Sequence, residues 1–118
     1  MKKKFKILTP DEMEALKARF DTFTFNRDTD LVYENQVPNT GVVLVDGELY
    51  LFKRSKVLEK INSSVALGVH QLVNNEPVKI GIKVKSPSEV ILLNKSEIKE
   101  ILNQEENCEV QTILQKLI

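Results

Sequence analysis

His70 is the only histidine and Cys108 the only cysteine in this chain of 118 residues. A metal site needs several histidine, thiolate or carboxylate ligands at defined spacing, and this distant pair does not supply them. No histidine or basic cluster lies beside Cys108 in sequence to lower its pKa, so it is not expected to be a nucleophile. A lone cysteine forms no internal disulfide, which fits a reducing compartment. Glu12, Glu14, Asp28, Asp30 and Glu34 offer carboxylates, but charged side chains cover most protein surfaces, and a solvated face explains them better than a glycosidase pair. The sequence holds no Ser-His-Asp arrangement, Walker loop or dinucleotide fingerprint. His70 itself reads as a partly exposed residue on a short helix; its functional alternative is a polar contact in a pocket or a pH-sensitive switch. No enzyme, cofactor or metal is therefore expected.

Lysine plus arginine and aspartate plus glutamate both number 17, a formal net charge of +0. Nucleic-acid binders carry a basic excess because phosphate neutralisation dominates their affinity, so no nucleic-acid partner is expected. Lys2-Lys3-Lys4 reads as a solvated terminus. No apolar run of signal-peptide or membrane-spanning length follows, which points to a cytoplasmic setting without a membrane partner. The hydrophobic share of 42% and charged share of 29% are those of a globular chain, and the length fits one domain over 1–118.

The order of elements can be read from caps and periodicity. Thr9-Pro10-Asp11-Glu12 forms a capping box, with Met13, Leu16 and Phe20 at helical spacing, which predicts a helix over about 10–20. The period then changes to alternation over about 21–93. Thr22 to Phe25 and Leu31-Val32-Tyr33 suggest strands, and Pro38 to Gly41 a turn cluster. Asp46-Gly47 between Val42–Val45 and Glu48–Phe52 predicts a type I′ hairpin. Leu49, Leu51 and Lys53 share one face and Glu48, Tyr50 and Phe52 the other, so both sides of that strand are expected to be covered. Val57, Leu58 and Ile61 form another strand, and Val65 to Val73, after Ser63-Ser64, one or two helical turns. After the Asn74–Pro77 loop, Ile80, Ile82 and Val84 face inward with lysines between them, and Gly81 marks a close backbone approach or a bulge. Ser86-Pro87-Ser88 is read as a turn, and Val90 to Leu93 as the last strand. Asn94 caps a helix with Glu97 as box partner, carrying Ile98, Ile101 and Leu102 on its apolar face. Val110, Ile113, Leu114, Leu117 and Ile118 mark a final amphipathic helix, so helices occupy about 95–118.

This order, mainly β with flanking helices, resembles the cyclic-nucleotide-binding domain family, whose fold is an antiparallel β-roll or jelly roll. The likeness runs from about Thr9 to Leu117. Val43 to Phe52 with Gly47 is similar to the family's apolar segment around a turn glycine. Leu58 to Ile61 followed by Leu67-Gly68 is similar to the opening of its phosphate-binding cassette, Val73 to Pro77 to the loop that ends it, and Val90–Leu93 into Ser96-Glu97-Ile98 to its last strand and next helix.

The resemblance implies a glutamate after the cassette glycine and an arginine after the loop proline. Here Val69 follows Gly68 and Val78 follows Pro77. Arginine offers a charged planar fork to a phosphate, and valine offers nothing. Losing a hydrogen bond to a charged group costs about 1.5–3 kcal/mol, so two such losses weaken binding by about two to four powers of ten. Lys79, one position on, falls on the opposite face of a regular strand and can substitute only through a bulge or register shift. The candidate ligand residues are thus Gly68, Val69, His70, Val78 and Lys79, in a degenerate cassette where a cyclic nucleotide is disfavoured. The apolar stripe of Val110, Ile113, Leu114 and Leu117 reads either as core folded back on the roll or as a seam for a protein partner or homodimer. The expected function is a non-catalytic regulatory or scaffold module acting by protein–protein interaction; the alternative is a sensor binding a cyclic nucleotide or another small ligand in a non-standard pocket. A cupin-like metal enzyme would need a histidine cluster that is missing.

Overall fold

The structure is a computed structural model that describes residues 5–62, 64–104 and 109–118. Cys108, Ser63 and Lys2-Lys3-Lys4 lie outside the described residues. In chain order the elements are β1 (Phe5–Ile7), α1 (Pro10–Arg19), β2 (Thr22–Phe25), β3 (Thr29–Val32), β4 (Gly41–Lys53), β5 (Lys56–Ile61), β6 (Val65–Leu67), α2 (Val69–Asn74), β7 (Gly81–Leu93), α3 (Lys95–Leu102) and α4 (Glu109–Leu117).

Two strands of 13 residues, β4 and β7, form the spine of an antiparallel roll. They pair from Gly41 opposite Leu93 to Phe52 opposite Gly81. β5 and β6 pair with the two ends of β4, β1 with β6, and β2 and β3 with the two ends of β7. Strand alternation sorts the apolar side chains into two cores. Val42, Leu44, Leu49, Leu51, Val84 and Val90 face the interior of the roll. Val43, Ile91 and Leu93 face the other way, onto Leu16, Ile98 and Leu114 from the helices.

Several sequence-based expectations are corrected. Asp46-Gly47 is no hairpin turn: β4 runs through it, with register shifts on either side of Asp46. Gly47 has φ 112, and a Cβ there would lie 2.1 Å from Ser88 Oγ, so the glycine serves a close crossing of strands at a bulge. Ser86-Pro87-Ser88 is likewise no turn; it lies within β7, with a cis Ser86–Pro87 bond, directly across that bulge. Ser88 Oγ accepts from Glu48 N–H at 3.0 Å and donates to Lys85 O, tying the two bent strands together. The hairpin turn falls instead at Arg54-Ser55, whose φ values of 53 and 66 give the doubly positive geometry of a type I′ turn without a glycine or asparagine. Val65 to Leu67 is strand, and only Val69 onward is helix.

Beyond the bulge, the outer face of β4 is not covered by a second layer. Tyr50 and Phe52 are half-buried under lysine side chains, with Lys60 and Lys85 over the Tyr50 ring at 5.2 and 5.1 Å and Lys83 over Phe52 at 5.3 Å. Asp28 receives Lys85 Nζ at 2.6 Å and Ser86 N–H at 2.9 Å. These two hydrogen bonds, that from Lys85 first, hold the Asp28 carboxyl below the usual carboxylate range, and the bond to Asp28 raises the Lys85 ammonium. Gly81 marks the close approach foreseen for it, since a Cβ there would sit 3.3 Å from Val32 O.

The helices follow their caps. Thr9 Oγ1 accepts from Glu12 N–H at 3.1 Å and Glu12 Oε1 accepts from Thr9 N–H at 3.0 Å, closing the capping box of α1. The Thr9 backbone donor is the main reason the Glu12 carboxyl lies below its ordinary value, with Lys6 and Lys116 adding to it. This contribution to stability is therefore present above the ordinary carboxylate pKa and lost as pH falls through the lowered one. Thr9→Ala is expected to cost about 1 kcal/mol in urea unfolding at pH 7; Glu12→Gln, which removes the titrating partner, should cost less at pH 3 than at pH 7, and a cost unchanged between the two would contradict this account of the box. Asn94 caps α3 by accepting from Glu97 N–H at 2.8 Å, but the Glu97 carboxylate takes the Asn94 side-chain amide, so the reciprocal half of that box differs from the expected one.

α4 packs on α1 and α3. Val110, Ile113, Leu114 and Leu117 are all buried in the chain's own helical core. Of the two readings of this stripe, the one with α4 folded back as core describes these four side chains within the single chain. Gln111, buried beside them, donates from Nε2 to the carbonyls of Ile101, Leu102 and Gln104 at 3.1–3.3 Å, tying α4 to the last turn of α3.

Candidate functional site

α2 and the loop after it build a recess that gathers several of the residues singled out in the sequence. Gly68 precedes the helix in a left-handed conformation, φ 77, and Asn75 ends it in another, φ 56. Glu76 N–H donates to Gln71 O at 2.9 Å, turning the chain back toward the roll. Val78 is then fixed through its backbone: its N–H donates to Gln36 O at 3.0 Å and its carbonyl accepts from Asn35 N–H at 2.8 Å.

Between this loop, α2 and the β4–β5 hairpin lies a cavity of about 270 Å³. Its walls are aliphatic, from Leu58, Leu67, Val78, Ile80 and Ile82. Lys53, Gln71, Glu76 and Lys79 supply the polar groups. Two larger recesses, about 350 Å³ beside Tyr33 and Phe52 and about 460 Å³ beside Pro10 and Lys17, are wider-mouthed and collect none of the cassette residues.

The five candidate residues separate. Gly68, Val78 and Lys79 line the cavity; Val69 and His70 do not. Val69 is 2% exposed and belongs to the helical core, pressed against Gly41, where a Cβ would come within 2.8 Å of Val69 Cγ2. Val78 is 5% exposed and belongs to the interior of the roll. The positions that the resemblance gives to an acid and a base are therefore aliphatic and sit in different cores. Lys79 needs no bulge to reach the cavity: β7 begins at Gly81, so strict alternation does not apply to residues 78 and 79. His70 is exposed, with Nε2 3.4 Å from Glu76 Oε2 and Nδ1 3.2 Å from Asn74 Nδ2. An exposed pair of this kind adds little stability.

Lys53, Leu58, Gln71 and Glu76 were not found from the sequence. Gln71 had a signal available, since it lies one helical turn after Gly68 and so shares its face. Lys53 and Leu58 are brought in by the hairpin at Arg54-Ser55, and a hairpin placed at Asp46-Gly47 could not predict them. Among the described residues, no three histidine, cysteine, aspartate or glutamate side chains are grouped to hold a metal, and no helix is long and apolar enough to cross a membrane.

The roll on the β4–β7 spine, the short helix and loop inserted before β7, and the helices packed on its outer face are the fold of cyclic-nucleotide-binding domains. Solved structures place the chain among particular neighbours. It is similar to the N-terminal domain of a transcriptional regulator from Streptomyces coelicolor (TM-score 0.68, 20% identity, 93% of this chain and 78% of that one). It is also similar to a cyclic nucleotide-binding-like protein from Brucella abortus (0.66, 20%, 82% and 87%). A third neighbour is the catabolite activator protein of Thermus thermophilus (0.64, 13%, 80% and 47%), of which the chain spans about half. No protein-family model and no curated protein matches the sequence.

Proposed function

We propose that this chain is a non-catalytic regulatory module that senses a small molecule in the cavity beside α2, without the acid and base that would grip a cyclic nucleotide. The observation that carries this reading is the cassette itself. Val69 and Val78 are buried aliphatics, yet the space next to Val78 stays open and has a polar rim. The α4 stripe is buried within the chain, so it lends the scaffold reading no exposed surface.

Thermal unfolding with cyclic AMP and cyclic GMP tests the nucleotide part. A ligand that binds only the folded state at a hundredfold excess over Kd adds about 2.7 kcal/mol, which shifts the melting temperature of a small domain by roughly 10 °C or more. No shift is expected at millimolar nucleotide, and a shift of several degrees with matching calorimetric heat would overturn the reading.

A second reading, a protein-binding scaffold, is favoured by β5. This strand pairs with β4 alone among the described strands, and Val57 and Leu58 on it are 45% and 53% exposed. An open strand edge with apolar side chains is a template for strand addition. Light scattering across a concentration series tests it for a second copy of the chain: self-association abolished by Val57→Lys would support it, and a strict monomer would remove that partner.

A further inference from the structure

We infer that the ligand of this cavity is a small aliphatic carboxylate, a molecule with one anionic head and a saturated body. The inference rests on the sensing role proposed above and specifies what is sensed.

The anionic head follows from the lysines. Lys83, Lys85 and Lys116 each have a carboxylate within 4.0 Å. Lys53 and Lys79, which line the cavity, have no ion-pair partner among the described residues. Glu76 is the acid of the cavity, and its Oε2 lies 3.4 Å from His70 Nε2, outside the lining, rather than on either lysine. The recess is thus lined by two lysines and one carboxylate that pairs with neither, an excess of one positive charge. Lysine is a point charge with rotatable donors, which can meet a single carboxylate. The Gln71 amide can donate to one carboxylate oxygen while a lysine serves the other.

The saturated body follows from the walls. Leu58, Leu67, Val78, Ile80 and Ile82 are all aliphatic, and no aromatic ring lines the cavity to stack on a purine. The volume, about 270 Å³, lies just below the roughly 300–1,000 Å³ of pockets that hold drug-sized ligands. The space therefore suits a short chain or small saturated ring.

The experiment is calorimetry on the full chain with the straight-chain carboxylates from butanoate to decanoate, each beside its matching alcohol and beside cyclic AMP. Affinity should rise about fourfold per methylene until the cavity is filled. The alcohols should bind roughly tenfold more weakly. The double variant K53Q/K79Q should lose that tenfold and bind acid and alcohol alike. Both lysines are exposed, so its melting temperature without ligand should match the parent. Leu58→Ser, on an exposed position of β5, should flatten the dependence on chain length and leave the preference for acid over alcohol intact.

Equal binding of acids and alcohols by the parent, or unchanged binding by the double variant, would overturn the inference. Amide spectra of labelled protein separate this failure from failure of the sensing role. Carboxylates silent while another small molecule shifts the Gln71 and Lys79 amides would overturn the carboxylate and leave the sensor. Silence from the carboxylates and from a whole fragment set would overturn both.

Discussion

Gly47→Ala is expected to destabilise the chain by about 3–5 kcal/mol, read as a lower urea midpoint with little change in slope. Two costs combine. The backbone at φ 112 lies where L-residues are strained. The new Cβ would also lie 2.1 Å from Ser88 Oγ and 2.8 Å from Ser88 Cα, and the second of these is backbone that cannot rotate away. Gly68→Ala separates the two. Gly68 has φ 77, but the nearest atom to a Cβ there is Thr40 O at 3.7 Å, so only the conformational cost of about 1–2 kcal/mol should appear. Equal losses at the two glycines would show that the crossing of β4 over Ser88 is not tightly packed.

Val69→Glu restores the acid that the family resemblance would place after Gly68, and it should cost about 3 kcal/mol or more at pH 8. The side chain points into the helical core beside Gly41, not into the cavity, so the carboxylate would be buried without a partner. Such a group has its folded-state pKa raised by desolvation. The penalty is complete above that raised value and shrinks as pH falls toward the unfolded-state value, so the variant should recover part of its stability between pH 8 and pH 5. The measurement is the unfolding free energy at the two pH values. A variant as stable as the parent that also gained affinity for cyclic AMP would mean that the cassette had been misread.

The sequence made the elements with strong local determinants easy to find. Thr9 with Glu12, the alternation of Ile82 and Val84, and the spacing of Val110, Ile113, Leu114 and Leu117 each act within a few residues, and each was placed correctly. What was misplaced depends on residues far apart. Asp-Gly is as suited to a bulge as to a turn, and Ser88, reached only through the fold, decides between them. Arg54-Ser55 lacks the residue types that announce a type I′ turn, yet its carboxylate partner Glu34 Oε1 accepts Arg54 N–H at 2.8 Å from a different part of the chain. Val65 to Val73 is apolar without a clear period, so the switch from strand to helix at Gly68 left no trace in the pattern. The cavity suffered most. Only its α2 and loop side could be read from neighbouring residues, while Lys53 and Leu58 arrive with the hairpin.

The long ladder between β4 and β7 also sets an order of events during folding. Phe52 meets Gly81 and Gly41 meets Leu93, so loops of roughly thirty to fifty residues must close before that ladder returns any free energy. The Arg54-Ser55 hairpin closes over its immediate neighbours and can form in about 1–10 μs. The spine of the finished roll is thus the part that waits, and the chain should reach its native state on the millisecond-to-second scale of proteins dominated by distant pairings.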